Sequence, residues 1–413
     1  MFSKTSFQII SIIVLIVIFW YPIMFENEFF YDDWAFISTF KAGTPSLGYF
    51  LQPHNEHFMP MFKMIFFAMY KLFQANIMPY MALSIVMHII NCLLLFVLLR
   101  LIFKGKKLLS YLLTLFFALN VTYFEVLHWF VNLSQALMLM FLIITLVLMH
   151  RSVDEDNKKL YYWSLFTSFF IPMNFSMGFL GIFFVVTYYF LILKGKLLDG
   201  IRFLAPYLYV WALYLVTFLT FSLYSIMHKP ATAPKLTFDA TKLVFYFVLG
   251  FVGLFIRNLG YSMLVFPYTT GLAVLFTIIF VVFLFFLLFY YILNPAKQRK
   301  PLLWGSGIIA FSLMGIFVCY AILAVGRSSL EPFSFISWGR YHYLPMFFFT
   351  ILLGAVAPRF FGIFSGIFNE KRLKALVILL FIGMLMTHFV LIRQKSFSPV
   401  RTEGLIPVKV SIS

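Results

Sequence analysis

Charge is scarce in this chain. Lys, Arg, Asp and Glu make up 11% of the 413 residues, against roughly 25% in an average soluble domain. Hydrophobic residues reach 63% and the mean hydropathy is +0.98. A soluble globule of this length has no interior large enough for that much apolar surface. The shortage of polar residues also excludes disorder, which needs low hydrophobicity. Strict polar–apolar alternation is missing too, and with it the pattern of a transmembrane barrel. Cysteine is limited to Cys92 and Cys319, each inside an apolar run without a partner or ligand cluster nearby, so both read as small core residues. No glycine-rich phosphate loop, internal repeat, low-complexity tract or linker is visible. What remains is an all-α, polytopic helical membrane protein.

Apolar runs near the ~20 residues needed to cross a bilayer fall at 7–25, 79–99, 108–124, 132–149, 160–173, 175–193, 203–226, 264–293, 302–325, 342–358 and 375–392. About eleven transmembrane helices are therefore expected, in one membrane domain over 1–413 with no soluble domain. The first run, Phe7 to Met24, lacks a small-residue cleavage site and reads as a retained helix rather than a leader. The segment around 58–71 is apolar but carries Lys63 and Lys71, so it is expected as an interfacial helix with snorkelling lysines. The stretch 241–262 is expected to lie similarly.

The net charge of +17 reflects topology rather than nucleic-acid binding. The bases sit in short clusters between apolar runs, where the positive-inside rule and anionic headgroups put them. One set of loops, with Lys4, holds 18 of the 31 bases and 5 of the 14 acids. That set, with the N-terminus, is expected in the cytoplasm.

The opposite side carries the unusual residues. Tyr31-Asp32-Asp33-Trp34 follows the first helix, and paired carboxylates at a membrane surface are costly unless solvated or partnered. One of them can serve as a general base while the other holds geometry, or both can belong to a solvated turn. His54, Glu56 and His57 in Pro53-His-Asn-Glu-His-Phe-Met-Pro60 could hold a divalent metal, hydrogen-bond a sugar or phosphate, or form a polar loop. Arg327 precedes Trp338-Gly-Arg340-Tyr341-His342-Tyr343-Leu-Pro345, where Arg340 can grip a phosphate and the rings can stack on sugar or anchor in lipid. Lys229, Lys235, Lys242 and Arg257 could add charge for a phosphate. Glu125 and His128, and likewise Asn132 and Gln135, are three residues apart and share a helical face near an outer end. His88 and Asn91 lie within a span and should bond to neighbouring helices.

Taken together these residues resemble the polytopic GT-C glycosyltransferases, a superfamily that includes protein O-mannosyltransferases and aminoarabinose transferases. The resemblance rests on the first helix, the outer loop opening with Tyr31-Asp32-Asp33-Trp34, interfacial helices within that loop, and the later Arg340-Tyr341-His342-Tyr343-Leu344-Pro345. It covers roughly 1–130 and 326–358. It implies a polyprenyl-phosphate-linked sugar donor, an envelope glycan such as O-antigen or a lipid-linked acceptor, and inverting transfer outside the cytoplasm of a bacterial inner membrane. Asp32 would match the family's base, with Asp33 in the second acidic position. Many members have Asp-Glu where this chain has Asp-Asp, so the base stays open between Asp32 and Asp33. Arg340, with Arg327, Lys229 and Arg257, would face the donor phosphate. Tyr31, Trp34, His54, Glu56, His57, Tyr341, His342 and Tyr343 would face the substrates. No cofactor is required beyond an optional divalent metal. A lipid or glycan transporter is the rival reading, although few charges fall at mid-membrane.

Overall fold

The computed structural model describes residues 4–25, 28–54, 57–195, 197–228, 250, 253–254, 302–327, 339–365 and a few positions between 382 and 389. Every regular element among them is helical. The expected span at 264–293 and most of the stretches 241–262 and 375–392 lie outside the described residues.

Among the described residues five helices are long and apolar enough to cross a membrane: Thr5–Phe25, Ile77–Ile102, Phe130–Asp154, Leu198–Thr220 and Ser306–Val325. A sixth is obtained by joining Lys107–Ala118 to Val121–His128 across a 42° bend. Length and composition are thus those of a membrane-embedded protein. The elements are α1 (Lys4–Trp20), α2 (Tyr31–Ala42), α3 (Leu47–Leu51), α4 (Pro60–Phe73), α5 (Ile77–Ile102), α6 (Lys107–Ala118), α7 (Phe124–His128), α8 (Leu133–Asp154), α9 (Lys158–Phe170), α10 (Gly181–Leu191), α11 (Leu197–His228), α12 (Leu302–Arg327) and α13 (Tyr343–Ser365). Helix α5 packs on α6 and α8, α8 on α9, and α13 on both α12 and α6. At Gly315 a side chain would overlap the Phe348 ring, so α12 and α13 approach through a position that only glycine fits.

Polar side chains tie the spans together where lipid offers them no partner. The Ala118 carbonyl, at the bend after α6, accepts from Trp20 Nε1 at 2.9 Å and lies 3.0 Å from His88 Nε2. Asn91 Nδ2 donates to the Ala136 carbonyl at 2.9 Å and to the Tyr343 hydroxyl at 3.0 Å. His88 and Asn91 therefore join neighbouring helices, as their mid-span positions suggested.

The loop at 26–78 folds into three short helices over one end of the bundle. Helix α2 opens with Asp32 and Asp33 in its first turn, where carboxylates favour the helix dipole. It stops at Gly43, whose φ of 152° suits only glycine. Aromatic edges fix these helices in place. Phe36 lies 5.3 Å from Phe66, and Phe130 lies 4.9 Å from both Phe66 and Tyr80. The first pair is tilted and the other two are edge-to-face, and aromatic pairs of this kind add about 0.5–1.5 kcal/mol each beyond area burial.

Lys63 departs from the expected snorkelling. It is 3% exposed, and its ammonium donates to the Tyr49 carbonyl at 2.9 Å and the Gln52 carbonyl at 2.6 Å. The end of α3 leaves carbonyls without helical partners, and a lysine one helix away meets that need better than water at the interface does. Lys71 stays exposed, with its ammonium 5.3 Å from the Phe67 ring centre. Lys63→Met keeps the stem but orphans the carbonyls, and is expected to cost about 1–3 kcal/mol, read as a lower unfolding temperature of the detergent-solubilised protein.

Candidate active site

The basic loops 100–107, 151–159 and 194–202 join α5 to α6, α8 to α9 and α10 to α11. At the opposite end of α8, its first turns, the start of α2, the stretch before α4, the loop after α9 and the turn before α13 line an open cleft of about 590 Å³, counted with the solvent at its mouth. Its lining includes Asp32, His54, His57, Trp129, Asn132, Gln135, Arg340 and Tyr341. Residues from five separated stretches thus meet at the end of the bundle away from the basic loops.

The two adjacent carboxylates have different surroundings. Asp33 has no exposed surface. The Val131 N–H donates to its Oδ1 at 2.8 Å, and the N–H groups of Phe130 and Phe30 donate to Oδ2 at 3.3 Å each. Phe130 and Val131 open the turn leading into α8, so the carboxylate sits at a helix N-terminus whose amides need acceptors. The bond from Phe30 also starts α2, because Asp33 reaches back to the residue that precedes the helix. Burial pushes the Asp33 carboxyl up to about 8, against the pull of its three N–H donors and with the help of the neighbouring Asp32 charge.

Asp32 faces the cleft and keeps 38% of its side chain exposed. Its Oδ1 lies 3.8 Å from His54 Nε2, an ion-pair distance rather than a hydrogen bond. The His54 ring, with smaller contributions from Arg340 and His57, holds the Asp32 carboxyl below the ordinary carboxylate value despite partial burial. It is therefore ionised at neutral pH.

His54 and His57 enter the same cleft through a tight turn. Each backbone N–H donates to the other's carbonyl, at 2.8 and 2.9 Å. The His54 ring rests 4.6 Å from Phe36, and the His57 ring stacks on Phe175 at 4.5 Å with Nδ1 2.7 Å from Ser176 Oγ. Glu56 lies outside the described residues. A metal needs a third convergent ligand, and among the described residues no group of three His, Cys, Asp or Glu meets that geometry.

Arg340 is carried by the turn Gly339–His342 that precedes α13. Its backbone N–H donates to Glu125 Oε2 at 3.4 Å, docking the turn on α7. Its guanidinium lies 4.4 Å from the Trp129 ring centre and 5.3 Å from that of Tyr341. Both rings attract the cation through their faces. Tyr341 lines the cleft beside it. His342 and Tyr343 instead point into the bundle: His342 Nδ1 meets the Tyr320 hydroxyl at 2.6 Å, and the Tyr343 hydroxyl accepts from Asn91. Trp34 is 46% exposed, lies 5.8 Å edge-on to Phe29, and is not among the cleft residues. Lys229, Arg257 and the side chains of Tyr31 and Arg327 lie outside the described residues.

The sequence alone gave no reason to single out Trp129, Phe175 or Ser176. Trp129 matters because a turn far along the chain brings Arg340 over it. Phe175 and Ser176 matter because the short loop after α9 reaches His57. Neither contact leaves a local pattern. The chain matches no protein-family model and no curated protein.

Proposed function

We propose that this protein is an integral-membrane inverting glycosyltransferase of the GT-C type. In this reading it moves a sugar from a polyprenyl-phosphate donor to an envelope glycan, such as O-antigen, or to a lipid-linked acceptor. The observation that carries the reading is the meeting of an ionised, accessible Asp32 and a ring-held Arg340 in one cleft at the end of the bundle away from the basic loops. The full topology in this reading has about eleven spans in a bacterial inner membrane, with the N-terminus cytoplasmic and the cleft on the periplasmic side.

The chemistry follows from the two charges. The acceptor hydroxyl approaches the anomeric carbon from the side opposite the phosphate. Its oxygen forms the new C–O bond while the bond from the anomeric carbon to the phosphate oxygen breaks, and the phosphate leaves with that electron pair. The hydroxyl becomes strongly acidic only as its oxygen bonds to carbon, so a weak base such as Asp32 suffices at that moment. Arg340 stabilises the charge gathering on the leaving phosphate. Asp33 we assign to positioning: its clasp on Phe30, Phe130 and Val131 fixes where α2 delivers Asp32. His54 orients and charges the same carboxylate.

Mass spectrometry of envelope glycans from cells with and without the protein tests this reading. Addition of one hexose supports transfer, whereas an unchanged glycan in altered surface amount supports transport and overturns it. Arg340→Gln is expected to lower the amount of added hexose about 10²–10³-fold, the range for losing one transition-state donor, with the protein at its normal level on immunoblot.

A further inference from the structure

Resting on the transfer reading, we propose that Asn132 and Gln135 form the floor of a subsite for the transferred sugar, and that this sugar is a neutral hexopyranose. Both side chains line the cleft, yet they are only 5% and 4% exposed. A carboxamide so deeply placed needs partners, and the two supply one another in part. Gln135 Nε2 donates to Asn132 Oδ1 at 3.2 Å, and Asn132 Nδ2 donates to the Glu125 carbonyl at 3.1 Å. These bonds fix the orientation of both amides. Among the described residues no partner accounts for Gln135 Oε1 or for the second N–H of each amide. A fixed carboxamide offering one acceptor and one donor side by side matches two vicinal hydroxyls.

Charge narrows the ligand further. Among the described residues lining the cleft, the permanently charged groups are Asp32 and Arg340. In the proposed reaction the first faces the acceptor hydroxyl and the second the donor phosphate. The sugar between them then meets Asn132, Gln135, the Ser134 hydroxyl, and the rings of Trp129, Tyr341 and Phe175. The Ser134 hydroxyl already donates to the Val131 carbonyl at 2.8 Å, so it adds an acceptor rather than a donor. Rings pack on the C–H face of a pyranose, and neutral amides read its hydroxyls. A carboxylate on the sugar would compete with the donor phosphate for Arg340 or draw on the ring nitrogens of His54 and His57, and an ammonium would compete with the acceptor for Asp32, which is costly in a partly desolvated site.

The test uses the full-length detergent-solubilised protein and three probes: methyl glucopyranoside, methyl glucuronoside and methyl glucosaminide. Saturation-transfer NMR gives the dissociation constant of each. The neutral glycoside is expected to bind at least about 5-fold tighter than either charged one. Gln135→Leu is expected to weaken it about 5- to 10-fold, the range for one lost hydrogen bond. Gln135→Glu should turn the preference toward the glucosaminide, a switch that a merely structural glutamine would not produce. Equal binding of the glucuronoside, wild-type affinity in Gln135→Leu, or no switch in Gln135→Glu overturns the inference even if glycan analysis shows that transfer occurs. Glutamine-dependent binding of the neutral glycoside without added hexose in cells would keep the subsite and remove the transfer reading.

Discussion

Asp32→Asn is expected to lower transfer about 10²–10⁴-fold, the contribution of a positioned base, while the protein expresses and unfolds at its normal temperature. The separation of effects follows from the geometry. Asp32 is partly exposed and the nearest ring nitrogen, His54 Nε2, is 3.8 Å away, so the fold gains little from its charge. Asparagine fills the same space but cannot accept the acceptor's proton. The comparison to make is product formed per amount of folded protein. Loss of the folded protein together with activity would show that Asp32 is structural. Because Asp32 lies below the ordinary carboxylate range, transfer should hold across neutral pH and fall only in acid, as that carboxylate takes up its proton.

Asp33 is expected to behave in the opposite way, with the larger effect on the fold. Asp33→Ala removes the acceptor for three backbone N–H groups inside the protein. Each orphaned donor costs about 1–3 kcal/mol, enough in sum to remove most of a marginal stability. Asp33→Asn keeps one acceptor atom, so either the Val131 N–H or the pair from Phe30 and Phe130 loses its partner, and the loss should be intermediate. The pH dependence has a definite sign. Burial raises the folded-state carboxyl to about 8 from the ordinary carboxylate value of 3.8, so the folded protein binds the proton more tightly than the unfolded chain. That contribution to stability is complete in acid and is lost as pH rises through about 8. Thermal unfolding from pH 4 to pH 9 should therefore show a decline that Asp33→Asn flattens. A wild-type midpoint that rises over this interval would contradict the assignment.

Much of the architecture was legible in the sequence because lipid imposes a simple rule: an apolar run of sufficient length becomes a helix. The helices α1, α5, α8, α11 and α12 follow their runs closely. The bend after Ala118 was not legible. It depends on Trp20 and His88 reaching one carbonyl from other helices. The placement of Lys63 was missed for a related reason, since interface-seeking behaviour is an average tendency and the carbonyls at the end of α3 are a specific demand.

In the site, the acidic pair and Arg340 stood out because charge is rare in this chain. What the sequence could not give was the division of labour between neighbours. Asp32 and Asp33 are adjacent and chemically identical, and only the amides at the start of α8 distinguish them. In the same way Tyr341 reaches the cleft while His342 and Tyr343 turn into the bundle, because a tight turn before α13 points successive side chains in different directions. Asn132 and Gln135 were visible as a shared helical face, but the cleft above them comes from four other parts of the chain.

The most direct measurement is a reconstitution. Full-length protein in lipid vesicles is given a polyprenyl-phosphate hexose and an isolated envelope glycan, and both released polyprenyl phosphate and glycan-bound hexose are quantified for wild type, Asp32→Asn and Arg340→Gln. The expected result is equimolar release and transfer by the wild type, with both variants at least about 10²-fold slower at equal amounts of folded protein. An intact donor that merely changes leaflet in the wild-type vesicles, or transfer that persists in Asp32→Asn at the wild-type rate, would contradict it.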